Sequence, residues 1–228
     1  MATIGGSNIV RSGLVLELDA ANARSYVSGS TVWRDVSGTN ISGSLTNGPT
    51  FNSANGGSIV FNGSNQYVTS LPSLTSTFIT SSFSVESWIN ITSSPPAAQI
   101  WFSVHNSGAT GKSIHFRVVS GSSLLFGFYG DDLPQQNNVV TTGTWYQIIN
   151  TYDSASDKSS MFLNGTLLVT GSAGPYTGPA ATMGIGRWEL GPQEYFKGNI
   201  AKVAVYNRAL SSTEILQNYN AQKSRFGL

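Results

Sequence analysis

Cysteine is absent from this chain of 228 residues. Disulfide frameworks, thiolate zinc sites and cysteine nucleophiles are therefore excluded. Charge is also scarce: Asp, Glu, Lys and Arg make up 10% of the sequence, with 12 basic residues against 11 acidic. No block of Lys or Arg exists to neutralise a phosphate backbone, which argues against nucleic acid as a partner. The same neutrality argues against docking on an anionic membrane surface. No apolar run approaches the ~20 residues needed to cross a bilayer. The opening Met1-Ala2-Thr3-Ile4-Gly5-Gly6 has neither the basic nor the apolar region of a signal peptide. A chain of this length buries roughly 70–75% of its unfolded surface, so it folds without a metal or disulfide staple.

What is present is a period of two. Leu14, Leu16 and Leu18 alternate with Val15, Glu17 and Asp19. Phe83, Val85, Ser87, Ile89 and Ile91 alternate with Ser84, Glu86, Trp88 and Asn90. Ile100, Phe102 and Val104 alternate with Trp101, Ser103 and His105, and Ile114, Phe116 and Val118 with His115, Arg117 and Val119. Successive strand side chains point to opposite faces, so each run reads as an antiparallel strand with one apolar face. Further strands are expected over 59–62, 124–129, 145–152, 160–163, 167–170, 183–186 and 201–206. Asn62-Gly63 and Asn164-Gly165 carry the chemistry of type I′ hairpin turns, whose two central residues need positive φ. Many short strands separated by turns, with almost no helical pattern, indicate a β-sandwich or barrel.

The C-terminus departs from this pattern. Ser211-Ser212-Thr213-Glu214 fits a capping box and predicts a helix over 212–223, with Ile215, Leu216 and Tyr219 on one face. Lys223 to Leu228 reads as a mildly basic, frayed end with one exposed aromatic, Phe226. No low-complexity linker divides the chain. It is expected to form one domain: an arm over 1–12, a sandwich over 13–210, and a helix and tail over 211–228.

Several segments together resemble the laminin G-like branch of the concanavalin A-like lectin/glucanase superfamily. They are Gly13-Leu14-Val15-Leu16-Glu17-Leu18-Asp19-Ala20, Trp33-Arg34-Asp35-Val36-Ser37-Gly38 and Gly57-Ser58-Ile59-Val60-Phe61-Asn62-Gly63. Phe83-Ser84-Val85-Glu86-Ser87-Trp88-Ile89, Gly143-Thr144-Trp145-Tyr146 and Phe162-Leu163-Asn164-Gly165 follow. Gly184-Ile185-Gly186-Arg187, Phe196-Lys197-Gly198-Asn199-Ile200 and Val205-Tyr206-Asn207-Arg208-Ala209-Leu210-Ser211 complete the set. The resemblance implies an all-β, two-sheet antiparallel jelly roll with a short C-terminal helix. Its closing Tyr-Asn-Arg-Ala-Leu-Ser dialect is similar to domains encoded by tailed phages of marine and cyanobacterial hosts. That similarity implies a virion surface protein, either a capsid decoration or part of a fibre, whose partners are capsid or fibre proteins and host polysaccharide.

The superfamily includes glycoside hydrolases, so paired carboxylates matter. A retaining glycosidase needs two carboxyl groups about 5–5.5 Å apart. Glu17-Leu18-Asp19-Ala20-Ala21-Asn22 is a near miss, with an amide where the acid/base would stand. His105 and His115 are the only histidines, and no Gly-x-Ser-x-Gly elbow is present. The chain is therefore expected to bind and not to catalyse.

Sugar recognition wants flat aromatic area beside a few placed polar groups. The faces opposite the apolar stripes supply Trp101, His105, His115, Arg117 and Tyr129, and the loop Arg187-Trp188-Glu189-Leu190 adds Trp188 and Glu189. These seven residues, Trp101 through Glu189, are the candidate carbohydrate site. The alternative for Trp88 and Trp101 is a second packed layer under a covering loop. An exposed Trp188 would act as an anchor.

Related domains bind calcium at the sandwich rim through oxygen ligands. Here Asn62, Asn65, Gln66 and Ala201 stand where acidic residues are common in them. Calcium is the only cofactor in question, with Asp131 and Asp132 as its candidate ligands. Adjacent strand residues diverge, which weighs against that pair. Asp35 reads instead as a turn residue bonded to backbone near Ser37-Gly38. Three readings follow. A virion-attached domain predicts Met1–Ser12 or Ser224–Leu228 buried on a partner. A lectin predicts an open face with Trp101, His105 or Trp188. A hydrolase predicts two carboxyls in one cleft.

Overall fold

The computed structural model describes residues 8–71, 81–93, 98–105, 108–178, 182–188 and 194–228. Its strands, in chain order, begin with β1 (Leu14–Asp19), β2 (Val32–Arg34), β3 (Ser42–Thr46), β4 (Thr50–Asn52), β5 (Ser58–Asn62) and β6 (Tyr67–Leu71). Then come β7 (Phe83–Ile91), β8 (Gln99–His105), β9 (Ile114–Val119), β10 (Ser123–Phe128) and β11 (Asp131–Asp132). The last are β12 (Trp145–Asp153), β13 (Lys158–Leu163), β14 (Thr166–Gly171), β15 (Thr182–Ile185) and β16 (Lys197–Tyr206), followed by helix α1 (Ser212–Gln222). All strand pairings are antiparallel and form two sheets. The first runs β14-β13-β12-β7-β16-β5-β4, with β1 beside β5 on the same flank of β16. The second runs β11-β10-β9-β8-β15-β6-β3-β2. This is the expected two-sheet sandwich.

The inner faces meet in one apolar core. From β7 it takes Phe83, Val85, Ile89 and Ile91, and from β9 Ile114, Phe116 and Val118, as alternation requires. The alternation fails in β8. The ladder with β9 slips between Ile100 and Phe102, so Trp101 and Phe102 both enter the core. A bulge inserts one residue and reverses the facing of what precedes it. Trp101 is consequently fully buried and packs near Phe116 at 6.1 Å, which removes it from the expected sugar face.

The turns divide in the same way. Asn164 (φ 50°) and Gly165 (φ 78°) make the expected hairpin between β13 and β14. Asn62-Gly63 does not make one, because β5 and β6 lie in different sheets. Only Gly63 has positive φ there, and Asn62 Oδ1 accepts from the backbone N–H of Ser64 and Asn65 to turn the chain across the sandwich.

A second layer covers the outer face of the first sheet. Ser211 and Glu214 form the expected capping box, and Arg208 grips Glu214 with two hydrogen bonds of 2.8 and 2.6 Å. That guanidinium, aided by the Ser211 donors against partial burial, lowers the Glu214 carboxyl to about 2. α1 docks through Ile215, Asn218 and Gln222, an i, i+3, i+7 face, which leaves Leu216 exposed contrary to expectation. The contact is largely polar. Glu86 is fully buried with no cation partner among the described residues and accepts from Gln147 (2.9 Å), Asn218 (2.8 Å) and Gln222 (2.7 Å). Asn218 also accepts from the Val10 N–H at 2.8 Å and donates to the Tyr206 hydroxyl at 2.9 Å.

Both terminal segments, from residue 8 and to residue 228, are thus fixed to their own sandwich. The expected frayed tail is instead a 3-10 turn, Lys223–Phe226. Phe226 is buried and stacks on Trp88 with ring centroids 4.1 Å apart, beside Trp145 and Tyr219. Arg225 bonds Asp19 at 2.8 Å and the carbonyls of Asn55 and Gly57 at 2.6 and 2.7 Å. Trp88 is therefore a packed residue, and Ser224–Leu228 is not an arm awaiting a partner. Val10 is buried as well, and residues 1–7 lie outside those described.

Candidate functional site

The outer face of the second sheet is built by β8, β9 and β10. Beyond the bulge, Ser103 and His105 share this face on β8, as His115 and Arg117 do on β9. Gly184 of β15 pairs with Ser103 and leaves room for the imidazole: a Cβ there would stand 3.1 Å from His105 Nε2. The Ser103 hydroxyl donates to the Arg187 carbonyl at 2.8 Å and lies 2.9 Å from His105 Nε2. With its hydrogen committed to that carbonyl, the hydroxyl accepts from the ring N–H. Burial, with the Arg187 charge, depresses His105 to about 3, so the ring is neutral. Ser103 and His105 thus hold the turn before Trp188.

Trp188 lies on this support. Its ring meets His105 edge-on at 4.9 Å and His115 at 5.9 Å. Tyr129 stacks on it at 6.2 Å with an interplanar angle of 10°, and the Arg117 guanidinium lies 5.6 Å from its centre. Trp188 is only 3% exposed, so it is the hidden layer of an aromatic pair whose outer member is Tyr129, at 38%. The expectation of an exposed Trp188 anchor is corrected accordingly: three side chains and the Tyr129 ring leave it no free face.

Polar groups share this outer face with the aromatic pair. Asp132 Oδ1 lies 2.7 Å from His115 Nε2, and its side chain is 33% exposed. Burial, opposed by Asp132, lowers the pKa of His115. Arg117 approaches Glu194 at 3.5 Å, and burial raises the pKa of that carboxyl against the pull of Arg117. Nearby on the same sheet, Arg187 lies 3.5 Å over the Tyr67 ring, which neighbours Tyr195 at 6.3 Å.

Of the seven sequence candidates, His105, His115, Arg117, Tyr129 and Trp188 converge here. Trp101 does not, and Glu189 lies outside the described residues. Asp132 reaches the site through β11, which pairs with β10. Asp131 points away and packs on Gly174, where an added Cβ would stand 2.8 Å from its Oδ2. The pair therefore does not converge on one ion, and among the described residues no group of three His, Asp or Glu is placed to hold a metal. Asp35 behaves as expected: Oδ1 accepts from the backbone of Glu17 and Ser37, each at 2.8 Å. Desolvation is outweighed by these bonds, and its pKa falls. The sequence reading missed Glu194, Tyr67 and Tyr195.

A two-sheet antiparallel sandwich closed by a short C-terminal helix is the architecture of a concanavalin A-like jelly roll. Residues 62–216 match the family described as the concanavalin A-like lectin/glucanases superfamily, and the chain belongs to it. No curated protein matches the chain. Among solved structures, a mutant of Trypanosoma rangeli sialidase displaying trans-sialidase activity superposes with a TM-score of 0.74 at 16% identity. That match covers 96% of this chain and 35% of the sialidase. The receptor binding domain of botulinum neurotoxin C/D mosaic serotype superposes with a TM-score of 0.70 at 14% identity, covering 93% of this chain and 52% of that one. A related toxin binding domain, type DC in complex with rat synaptotagmin II, gives 0.67 at 16% identity over 93% and 52%. The chain thus spans about a third of the sialidases and half of the toxin domains, and what it shares with them is the fold. Among the described residues no helix is long and apolar enough to cross a membrane.

Proposed function

We propose that this domain binds carbohydrate, without turning it over, on the outer face of its second sheet. The observation that carries the reading is the Tyr129–Trp188 stack. Its outer ring is open; Arg117 lies over the inner ring, and Asp132 at His115 and Glu194 at Arg117 add side chains of the kind that fix hydroxyl groups to the same sheet face. A sugar would lay an apolar C–H face on Tyr129 and its hydroxyls against the charged groups. Fold neighbours that are sialidases support a saccharide ligand, although fold alone does not fix function.

Side-chain chemistry supports binding without turnover. Ser103 is not activated, and Glu17 and Asp19 are held in ion pairs with Lys202 and Arg225 at 2.9 and 2.8 Å. One observation favours hydrolysis as a second reading: Glu194, with its raised pKa, shares a sheet face with Asp132. The setting we propose, the surface of a tailed-phage virion, is supported by the sequence resemblance alone. With both described terminal segments packed on their own sandwich, attachment to a particle would use the sheet edges or residues 1–7.

A glycan and polysaccharide array tests the reading, run in calcium and again in EDTA, with reducing ends assayed on every bound glycan. Binding lost in Tyr129→Ala supports the site, and release of reducing ends transfers the case to hydrolysis. A flat array with folded protein would overturn the lectin reading. Mass spectrometry of purified virions tests the setting.

A further inference from the structure

A second, polar cleft lies away from the sugar face, where β1, β16, the N-terminal segment and the C-terminal tail meet. Its volume is ≈ 500 Å³ and its charged lining is Arg11, Glu17, Asp19, Arg24, Lys202 and Arg225. Four cations against two carboxylates leave two positive charges in one cleft, on a chain whose total is +1.

Both carboxylates are already engaged. Glu17 takes Lys202 at 2.9 Å on one oxygen and Arg11 at 2.5 Å on the other. Asp19 Oδ1 accepts from Arg225 at 2.8 Å and from the Ala21 N–H at 2.9 Å. One carboxylate thus serves two cations at the base of the cleft, where the Lys202 side chain is 2% exposed. A cation so removed from water acts through a lower effective dielectric than a surface lysine.

Arg24 is the other source of the excess. Among the described residues its guanidinium has no carboxylate partner, and the side chain is exposed. The backbone beneath it is nevertheless fixed. Asn22 Oδ1 accepts from the Arg24 N–H at 3.0 Å, the Asn22 carbonyl accepts from Ser25 and Tyr26, and Ser25 Oγ bonds the Arg34 carbonyl at 2.5 Å. A free guanidinium on a fixed turn pays little backbone ordering on binding. Its fork suits two oxygens of one anion.

We infer that this cleft is a binding site for a doubly charged oxyanion of phosphate or sulfate type, held by Arg24 and Arg11 above the buried Lys202–Glu17 pair. The site is independent of the sugar face, so either can fail alone. The anion could arrive free or as an ester on a larger molecule, and the chemistry recognised is the same.

The test is titration calorimetry and thermal melting of the whole chain with inorganic phosphate, sulfate and glucose 6-phosphate at pH 7.5, against glucose and against chloride at matched ionic strength. Saturable binding of the dianions, with none of glucose or chloride, is expected. Tighter binding of glucose 6-phosphate than of phosphate would identify an ester as the ligand. Arg24→Gln should bind about tenfold more weakly, as befits the loss of a charge-assisted pair. Arg34→Gln, on the neighbouring cleft only, should match the parent. Arg24 is exposed, so its variant should fold normally. Absence of saturable binding, or an Arg24→Gln protein that binds phosphate as the parent does, overturns the inference.

Discussion

Replacing Tyr129 and Trp188 by alanine, one at a time, separates the residue that meets a sugar from the one that supports it. Tyr129 is 38% exposed, and its main protein contact is the stack on Trp188 at 6.2 Å. An aromatic pair contributes about 0.5–1.5 kcal/mol beyond area burial, so Tyr129→Ala should cost about 1 kcal/mol of stability. Its effect on binding should be larger. Truncating a central aromatic contact costs about 2 kcal/mol or more, which is ~30-fold in Kd. Trp188 reverses the balance: it is 3% exposed and contacts two histidines, Arg117 and Tyr129. A buried Trp→Ala change costs about 3–5 kcal/mol, and little around this ring can collapse into the gap. Urea denaturation supplies the first quantity, and calorimetry with the best glycan from the array supplies the second. If Tyr129→Ala keeps parental affinity, or Trp188→Ala costs under about 1 kcal/mol, the layering argued for this face is wrong.

Acid should weaken the fold in a defined window. His105 is depressed to about 3 when folded and titrates near 6.5 when unfolded, so its neutral burial carries no penalty above pH 6.5. As pH falls from 6.5 toward 3 the unfolded state takes up the proton first, a loss of about 2 kcal/mol at pH 5. His115 shifts in the same direction and adds to it. Urea midpoints at pH 7 and 5 should show the loss, and His105→Gln should shrink it. Asn218→Ala removes bonds to Val10, Glu86 and Tyr206 and leaves Glu86 buried with one donor fewer, for about 3–5 kcal/mol in the same assay. Amide exchange at Val10 should then accelerate, whereas exposed Leu216→Ala should leave it slow. Phe226→Ala should cost about 2–4 kcal/mol through the Trp88 stack, and a frayed tail would show no loss.

The sandwich was legible because its strands obey a local rule. In β7 and β9 the side-chain period alone assigns each residue to a face, and the capping box alone starts α1 at Ser212. The errors arose where distant chain decides. The bulge that drives Trp101 inward is a property of the β8–β9 ladder, and no residue in Ile100-Trp101-Phe102 announces it. Asn62-Gly63 has hairpin chemistry, yet its flanking strands belong to different sheets, a matter of topology. The outer face of the first sheet shows the same dependence on distant chain. The strand pattern places Glu86 and Trp88 outward but does not show what covers them, because the amides and aromatic ring that satisfy them come from Asn218, Gln222 and Phe226, more than a hundred residues later. The second sheet carries an equally polar outer face, but among the described residues a loop tryptophan and not a helix covers it, and one tyrosine and three charged side chains keep contact with solvent. That difference in cover, invisible in either strand alone, is the physical reason to place the sugar on the second sheet and not on the first.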